Sequence, residues 1–375
     1  MSDDDSGHGF QGFLVNRARK QQLVARQAST LEHDINRSAH FEGSTPLMHW
    51  HAAAWSPDGS QVAAGGHHAQ GSQTKGELEI WDGHSGQHEG HRTRHLRHDL
   101  DGPVISLSWS PDSAHLASIE KHAKSGQPLL HIRSQAEGKR AISLPEGMQA
   151  TKVEWSPDGS QLALSAGGTR SVLLIDPASG QLRRTLEGVS GPVAWEPGGR
   201  RIAGPDGAAV AIFDAASGQR MRTISGPEHK ATAIAWATQG KVLAVSNGEN
   251  IRVYDADNGD YLRNVPWGTS EGDRSNDPTV HYLGWLDKGR YLFEFRKWGG
   301  LSRNDGTSKI GTMALWDVTT KVLFSFLIHE TINHVQCPPA EILVGPQGGR
   351  QTLIFFDDRP PQVWEISGGL PGFEP

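Results

Sequence analysis

The stretch HAAAWSPDGSQVAAGG occupies residues 51–66, and TKVEWSPDGSQLALSA at residues 151–166 repeats its plan. In both stretches an alternating apolar segment ends in tryptophan, a Ser-Pro-Asp-Gly turn follows, and a second apolar segment comes next. Proline presets φ at the second position of such a turn, and glycine accepts the positive φ that comes later. Each stretch therefore predicts two β-strands joined by a tight turn.

The same plan recurs seven times along the chain at intervals of 40 to 54 residues, a period typical of repeat architectures. Each unit continues with a variable loop and a third strand that usually ends in an acidic residue and a small turn, as in VAIFDAASGQ. A fourth strand follows, and unit 2 departs from the pattern with LLHIRSQAEGK. The alternation of period two predicts four-stranded antiparallel units. The residues that end the first strands are Trp55, Trp109, Trp155, Trp195, Trp236, Trp285 and Cys337.

Seven units of this form resemble a β-propeller of the WD-repeat type, over about residues 45–367. The tripeptides IWD at 80–82 and LWD at 315–317 are closest to the family pattern, whereas the family's Gly-His dipeptide is missing in most units. TolB-like propellers share the WSPDG phrase and are a sub-class alternative. The resemblance implies an all-β, seven-bladed β-propeller of four-stranded antiparallel blades, in which the recurrent tryptophan fills the space between adjacent blades.

The chain ahead of the repeats divides into two segments. Residues 1–10 are acidic and poor in apolar residues, which predicts a disordered tail. Residues 11–33 are rich in helix formers, with apolar residues at helical spacings from Val24, and predict a helical extension that packs on the propeller, docks on a partner or lies on a membrane. Residues 34–375 are assigned to the propeller, and its last blade is expected to gain a strand from residues 34–44.

Composition excludes several classes of partner. The net charge of the 375 residues is −6, which argues against a nucleic-acid partner. The chain has a single cysteine, Cys337, so it cannot form an internal disulfide. A lone cysteine of this kind is most simply a small buried apolar side chain. No apolar run is long enough to span a bilayer, and the N-terminal residues lack the apolar core of a secretory signal. These features predict a cytoplasmic protein.

Three motifs suggest metal chemistry, but each has a simpler interpretation. The histidines of residues 84–98 could bind zinc, although the repeat places this segment on an exposed outer strand. The sequence HETINH at 329–334 has one residue too many for the zinc-protease motif, which also requires a helix. The sequence DADNGD at 255–260 aligns with turns of other units rather than with a calcium loop. We expect no catalytic residue, metal or cofactor.

Long loops predict where partners bind. In this architecture, the loop between the second and third strands and the loop that enters the first strand lie on the same side. The long examples, among them residues 65–77, 120–128, 296–309 and 345–361, belong to units 6, 7, 1 and 2, which are consecutive around a closed ring. Tryptophan and arginine are frequent at interface hot spots. The predicted partner-binding residues are Trp267, Arg296, Lys297, Trp298, Arg303, Phe355, Arg359, Lys121 and Lys124.

The sequence as a whole predicts a non-catalytic protein-interaction scaffold that holds one or more partner proteins in a multi-component assembly. One alternative is a propeller enzyme, a lyase or hydrolase, that acts at the central channel. Another is a sensor that binds a ligand at the channel mouth. Either would require polar side chains that converge at the axis, and no repeated acidic or histidine pattern is found there.

Overall fold

The structure is a computed structural model that describes residues 24–27, 49–70, 73–82, 94–100, 102–134, 136–225, 229–248, 250–265, 279–286, 289–297, 311–318, 322–328, 332–336, 350–356 and 362–367. In this part of the chain the regular structure is β-strand, and no helix is long and apolar enough to cross a bilayer. The described strands form seven four-stranded antiparallel sheets, here numbered sheet 1 to sheet 7.

Six of these sheets are meanders of four consecutive strands. Sheet 1 contains β2 (His49–Trp55), β3 (Gln61–Gln70), β4 (Gln73–Asp82) and β5 (Arg94–Leu100). Sheet 2 contains β6 (Val104–Trp109), β7 (Leu116–Lys121), β8 (Pro128–Ser134) and β9 (Gly138–Ile142). Sheet 3 contains β10 (Ala150–Trp155), β11 (Leu162–Ala166), β12 (Ser171–Ile175) and β13 (Leu182–Glu187).

The remaining meanders follow in chain order. Sheet 4 contains β14 (Ala194–Trp195), β15 (Arg201–Asp206), β16 (Ala209–Asp214) and β17 (Arg220–Ser225). Sheet 5 contains β18 (Ala233–Trp236), β19 (Val242–Ser246), β20 (Ile251–Asp255) and β21 (Tyr261–Val265). Sheet 6 contains β22 (Thr279–Leu286), β23 (Tyr291–Lys297), β24 (Gly311–Asp317) and β25 (Val322–Ile328).

Sheet 7 joins the two ends of the chain. Its strands are β26 (Ile332–Gln336), β27 (Arg350–Phe356) and β28 (Gln362–Ser367), and β1 (Val24–Gln27) pairs antiparallel with β28 as its outer strand. The prediction of a helix is therefore wrong for these four residues, because β28 offers an open strand edge that extended backbone satisfies. The rest of 11–33, the tail and the expected donor segment 34–44 lie outside the described residues.

The Ser-Pro-Asp-Gly turns form as predicted. In sheet 1, the Ser56 hydroxyl donates to Asp58 Oδ1 at 2.6 Å and accepts the Gln61 amide at 2.9 Å, while Gly59 adopts a φ of 71°. The turn of sheet 3 repeats these bonds. Sheet 2 has Ser113 where the other turns have glycine, and its φ of 61° shows that the turn imposes the left-handed conformation.

The core lies between the sheets. Among the described residues, five clusters of buried apolar side chains join sheets 1 and 2, 2 and 3, 3 and 4, 4 and 5, and 5 and 6. Alternate residues of a strand enter opposite clusters, so that Leu162 and Leu164 face sheet 2 whereas Ala163 faces sheet 4. In addition, β2 packs against β26, which brings the first and last sheets together.

The recurrent tryptophans bridge neighbouring sheets, as the sequence predicts. The indole of Trp109 donates to the Ala54 carbonyl of sheet 1 at 3.0 Å. Trp236 donates in the same way to Ala194 of sheet 4 at 2.9 Å. Trp285 repeats the bond to Ala235 of sheet 5 at 3.1 Å. Each acceptor directly precedes the tryptophan of the preceding sheet.

Arginines on the outer strands add a second bridge between sheets. Arg140 on β9 donates to the Ala178 carbonyl, in the turn between the third and fourth strands of sheet 3. Arg222 on β17 contacts Asn258 O of sheet 5 at 2.7 Å, and Arg263 on β21 contacts Val318 O of sheet 6 at 3.0 Å. These bonds fix consecutive sheets to one another at the rim as well as in the core.

Candidate protein-interaction surface

The strand ends define two sides of the array of sheets. We call the side with the connections between second and third strands, and between consecutive sheets, the loop side. The opposite side, with the connections between first and second and between third and fourth strands, is the turn side. On the loop side, β21 and β22 are separated by residues 266–278, and β23 and β24 by residues 298–310, all outside the described residues.

On the loop side of sheet 1 the chain forms a long β-hairpin rather than the predicted loop. Strands β3 and β4 are paired over their whole length, from Gln61 opposite Asp82 to Gln70 opposite Gln73. The prediction of a loop at 65–77 is wrong, because the β3–β4 ladder continues for three further pairs beyond His67 and Gly76. The hairpin extends past the adjacent strand β2, whose pairing with β3 ends at His49 and His67.

Histidines line the base of this hairpin. The rings of His51 and His67 are stacked, with centroids 4.8 Å apart and His51 Nε2 at 2.6 Å from His67 Nδ1. His68 Nδ1 lies 3.4 Å from the carboxylate of Glu77, which is fully buried. The hairpin is therefore anchored by polar contacts at the point where it leaves the sheet.

Close backbone packing joins this hairpin to sheet 2. A Cβ at Gly76 would lie 1.8 Å from the Gly102 carbonyl oxygen, and a Cβ at Gly102 would lie 1.9 Å from the Lys121 oxygen. Only glycine permits such an approach. The start of β4, the connection between sheets 1 and 2, and the end of β7 are thus stacked in direct contact.

The next loop, residues 122–127, is held by its own hydrogen bonds. The Gly126 amide donates to His122 O and the His122 amide to Gln127 O, both at 2.8 Å. Ser125 contacts the His122 ring at 3.1 Å. Lys121, the last residue of β7, and Lys124, within the loop, are both exposed. The loop therefore presents two of the predicted binding residues on a preformed backbone.

A buried ionic cluster supports this loop from below. Glu120, directly before Lys121, pairs with Arg133 of β8, and both side chains are about 5% exposed. Arg133 also donates to the Ser118 hydroxyl, and His131 Nδ1 lies 3.1 Å from Glu120. A buried carboxylate and guanidinium that satisfy each other fix both strands, because separation would leave a charge without its partner.

The cluster alters the protonation of its members. Burial alone would raise the pKa of Glu120, but the hydrogen bond with His131 and the charge of Arg133 outweigh it and lower the pKa to about 2. His98, on β5 of sheet 1, faces this cluster across the interface. Burial lowers the pKa of His98, and the positive charges of Arg133 and Lys139 lower it further. Glu120 is therefore ionised, and His98 is kept neutral.

The structure places the other predicted binding residues unevenly. Arg296 and Lys297 are the last two residues of β23, opposite Val280 and Thr279, and not loop residues as predicted. Phe355 lies within β27, because the second strand of sheet 7 is Arg350–Phe356 rather than the predicted segment 341–346. Residues 337–349, between β26 and β27, lie outside the described residues. Trp267, Trp298, Arg303 and Arg359 lie outside the described residues, as does Cys337.

Where they are described, the segments considered for metal binding lie in turns and strands, although His98 is half-buried rather than exposed. Asp255 Oδ1 accepts the amides of Asp257 and Asn258, as in an ordinary turn. His98 lies on outer strand β5, and residues 332–334 begin strand β26. Among the described residues no group of three histidine, cysteine or acidic side chains is placed to hold a metal ion.

Sequence reasoning missed the ionic cluster and the hairpin. The signal for the cluster was present in LLHIRS of unit 2, where Arg133 stands opposite Leu116 at a position that is Ile175, Phe213 and Tyr254 in units 3, 4 and 5. The hairpin has no such local signal, because glycines flank residues 67–75 on both sides.

One comparison with known families bears on the fold. The sequence model of a family described as "Anaphase-promoting complex subunit 4 WD40 domain" matches residues 216–288. These residues run from the turn before β17, through all of sheet 5, to the end of β22 and two residues beyond it. The match and the repeated four-stranded antiparallel sheets fit a WD-repeat propeller family, as the sequence resemblance implied.

Proposed function

We propose that this chain is a non-catalytic scaffold: a closed propeller of seven blades that holds partner proteins in a multi-component assembly through its loop side. The observation that carries the proposal is the preformed surface of the β3–β4 hairpin and the loop 122–127. Because these backbones are fixed by close packing and hydrogen bonds, binding would cost little ordering entropy. The family that matches residues 216–288 is named for a subunit of a complex, which supports an assembly role.

Charge indicates the kind of partner. Lys121 and Lys124 are exposed, and Lys75 and the histidines of the hairpin base lie on the same side of the same two sheets. This surface would attract an acidic segment and so raise the association rate and select the partner. We extend the proposed surface to Arg296, Lys297, Trp298 and Trp267 around sheet 6, and we place the protein in the cytoplasm.

A pull-down from native extract with matched charge reversals tests the proposal. Lys124→Glu reverses a charge on the proposed surface, and Lys230→Glu reverses an exposed lysine between sheets 4 and 5. We expect Lys124→Glu to reduce recovery of a stoichiometric partner severalfold and Lys230→Glu to leave it unchanged. Trp298→Ala tests the sheet 6 extension separately. An unchanged partner set in both Lys124→Glu and Trp298→Ala would contradict the proposed surface.

A further inference from the structure

A pocket of about 140 Å³ lies on the turn side, between sheets 5 and 6. Its walls include Val242, Val253, Trp285 and Val318, and two cationic residues, Lys241 and Arg263, lie at its rim. A cavity of similar size lined by apolar side chains in another protein accommodates benzene. The pocket therefore has room for one apolar side chain.

The pocket exists because a short side chain stands where other sheets have a long one. Arg201 of sheet 4 and Val242 of sheet 5 occupy the same position, since each accepts a bond from the residue after the first-strand tryptophan. The Arg201 guanidinium lies 4.8 Å from the ring centre of Trp236 in the next sheet. Val242 packs against the cluster that contains the corresponding Trp285, but its shorter side chain leaves the pocket beside that ring.

Sheet 2 shows the same arrangement with a different residue. His115 occupies the equivalent position there, and its ring lies 6.4 Å from that of Trp155 in sheet 3. Thus the chain covers the next tryptophan with its own side chain at two interfaces. At Trp285 it leaves the space open.

The charge around the pocket selects the occupant. Lys241 is exposed, and Arg263 is held at the rim by its bond to Val318 O at 3.0 Å. Among the residues that the structure describes, none of those that line the pocket is acidic. Tyr261 and Leu262, on the strand that carries Arg263, are 54% and 44% exposed. A cation like Arg201 would be repelled here, whereas an apolar side chain beside a carboxylate would be attracted.

We propose that this pocket is a second docking site, which receives one leucine-sized or phenylalanine-sized side chain, next to an acidic residue, from a segment of a partner protein. The site lies on the side opposite the proposed loop-side surface and does not depend on it. It would let the scaffold hold two partners at once.

Saturation-transfer NMR with the full chain tests this site. The probe is the peptide acetyl-Glu-Leu-Glu-amide, and the control peptides are acetyl-Lys-Leu-Lys-amide and acetyl-Glu-Gly-Glu-amide. We expect transfer to the leucine methyl groups of the acidic probe, and at least fivefold weaker binding of both controls. Absence of transfer from the wild-type protein, or equal binding of the Lys-Leu-Lys peptide, would overturn the proposal.

Two variants locate the binding. Val242→Gln imitates Gln61 and Gln161, which occupy the equivalent position in sheets 1 and 3, and should fill the pocket with a neutral side chain and abolish transfer. Lys241→Glu changes only an exposed rim residue and should weaken binding of the acidic probe about fivefold, so it tests the site even if Val242→Gln fails to fold. Wild-type binding in Lys241→Glu, or in folded Val242→Gln, would place the probe elsewhere and overturn the assignment.

Discussion

The interface between sheets 1 and 2 and the interface between sheets 4 and 5 use equivalent positions for different chemistry. Arg133 lies opposite Leu116 in sheet 2, and Tyr254 lies opposite Leu243 in sheet 5. Both are buried, but Tyr254 packs in an apolar cluster whereas Arg133 pairs with Glu120. The repeat thus determines that the residue at this position is buried, but not whether it is polar or apolar. The polar residue, Arg133, lies beneath the loop that presents Lys121 and Lys124.

Removal of Arg133 should have the largest effect. Arg133→Met leaves Glu120 buried without its main partner, and we expect a loss of about 3–5 kcal/mol in the free energy of unfolding, measured with urea. Tyr254→Phe, at the equivalent position, should change it by no more than about 0.5 kcal/mol, because the hydroxyl makes no hydrogen bond.

The double variant Glu120→Gln, Arg133→Met controls for this effect. It removes both charges and should recover most of the lost stability. If Arg133→Met were as mild as Tyr254→Phe, the ionic cluster would not hold this interface together.

Acid should weaken the polar interface selectively. The folded pKa of Glu120, about 2, lies below its ordinary value of 4.5, so its stabilisation is complete above pH 4.5 and is lost as the pH falls towards 2. The total is about 3 kcal/mol. His98 adds a loss that begins as the pH falls below 6.5, because only the unfolded state takes up the proton readily. Between pH 7 and 2, the free energy of unfolding should fall less steeply with pH in the double variant than in the wild type. Equal slopes in the two proteins would contradict the role given to Glu120.

Alkali should affect the other interface. Burial raises the pKa of Tyr254, so the unfolded state releases its proton first and stability falls as the pH rises above 10. Tyr254→Phe should remove this part of the decrease in the free energy of unfolding above pH 10 and leave its decrease in acid unchanged. If the wild type and Tyr254→Phe lose stability equally above pH 10, burial does not raise the pKa of Tyr254.

An intermediate effect should come from the backbone stack at the loop side of the polar interface. Gly76→Ala places a Cβ 1.8 Å from the Gly102 oxygen, and we expect a loss of about 1–3 kcal/mol and weaker partner binding. Gly198→Ala is the control, because a Cβ there meets nothing within 4 Å. Thermal unfolding measures both. If Gly76→Ala is as stable as Gly198→Ala, the hairpin and sheet 2 are not in fixed contact.

The smallest effect tests what the two interfaces share. Trp109→Phe and Trp236→Phe each remove one indole bond to the preceding sheet, and each should cost about 1 kcal/mol beyond the change in packing. Trp155→Phe should cost less, because its indole makes no hydrogen bond. Unequal losses for Trp109 and Trp236, measured by urea unfolding, would show that the interfaces differ in this bond too.

The sequence predicted the parts of the fold that local rules determine. The turn at Asp58, the strand ends at the tryptophans and the inward alternation follow from residues close together in the chain. The Glu120–Arg133 pair could not be placed, because residues 13 apart meet only through the pairing of β7 and β8. The β3–β4 hairpin was missed because glycine on both sides of residues 67–75 suggested a loop.

The terminal sheet shows a second limit. A four-residue strand such as Val24–Gln27 has no pattern that separates it from a helix, and only the open edge of β28 makes it a strand. The second strand of sheet 7 was misplaced because segment 341–346 contains a short apolar run, as does Arg350–Phe356. In both cases a distant partner decided between local alternatives.

The pairing of β1 with β28 is the most direct test of a closed propeller. Ala25 and Ile366 are direct partners in this pairing, so cysteines at both positions, with Cys337→Ser, should form a disulfide that joins the two ends of the chain. We predict faster non-reducing electrophoretic migration and a higher melting temperature than after reduction. A control pair at Ala25 and Gln362, out of register, should not cross-link. Failure of the in-register pair to cross-link, or equal cross-linking of both pairs, would contradict closure by β1.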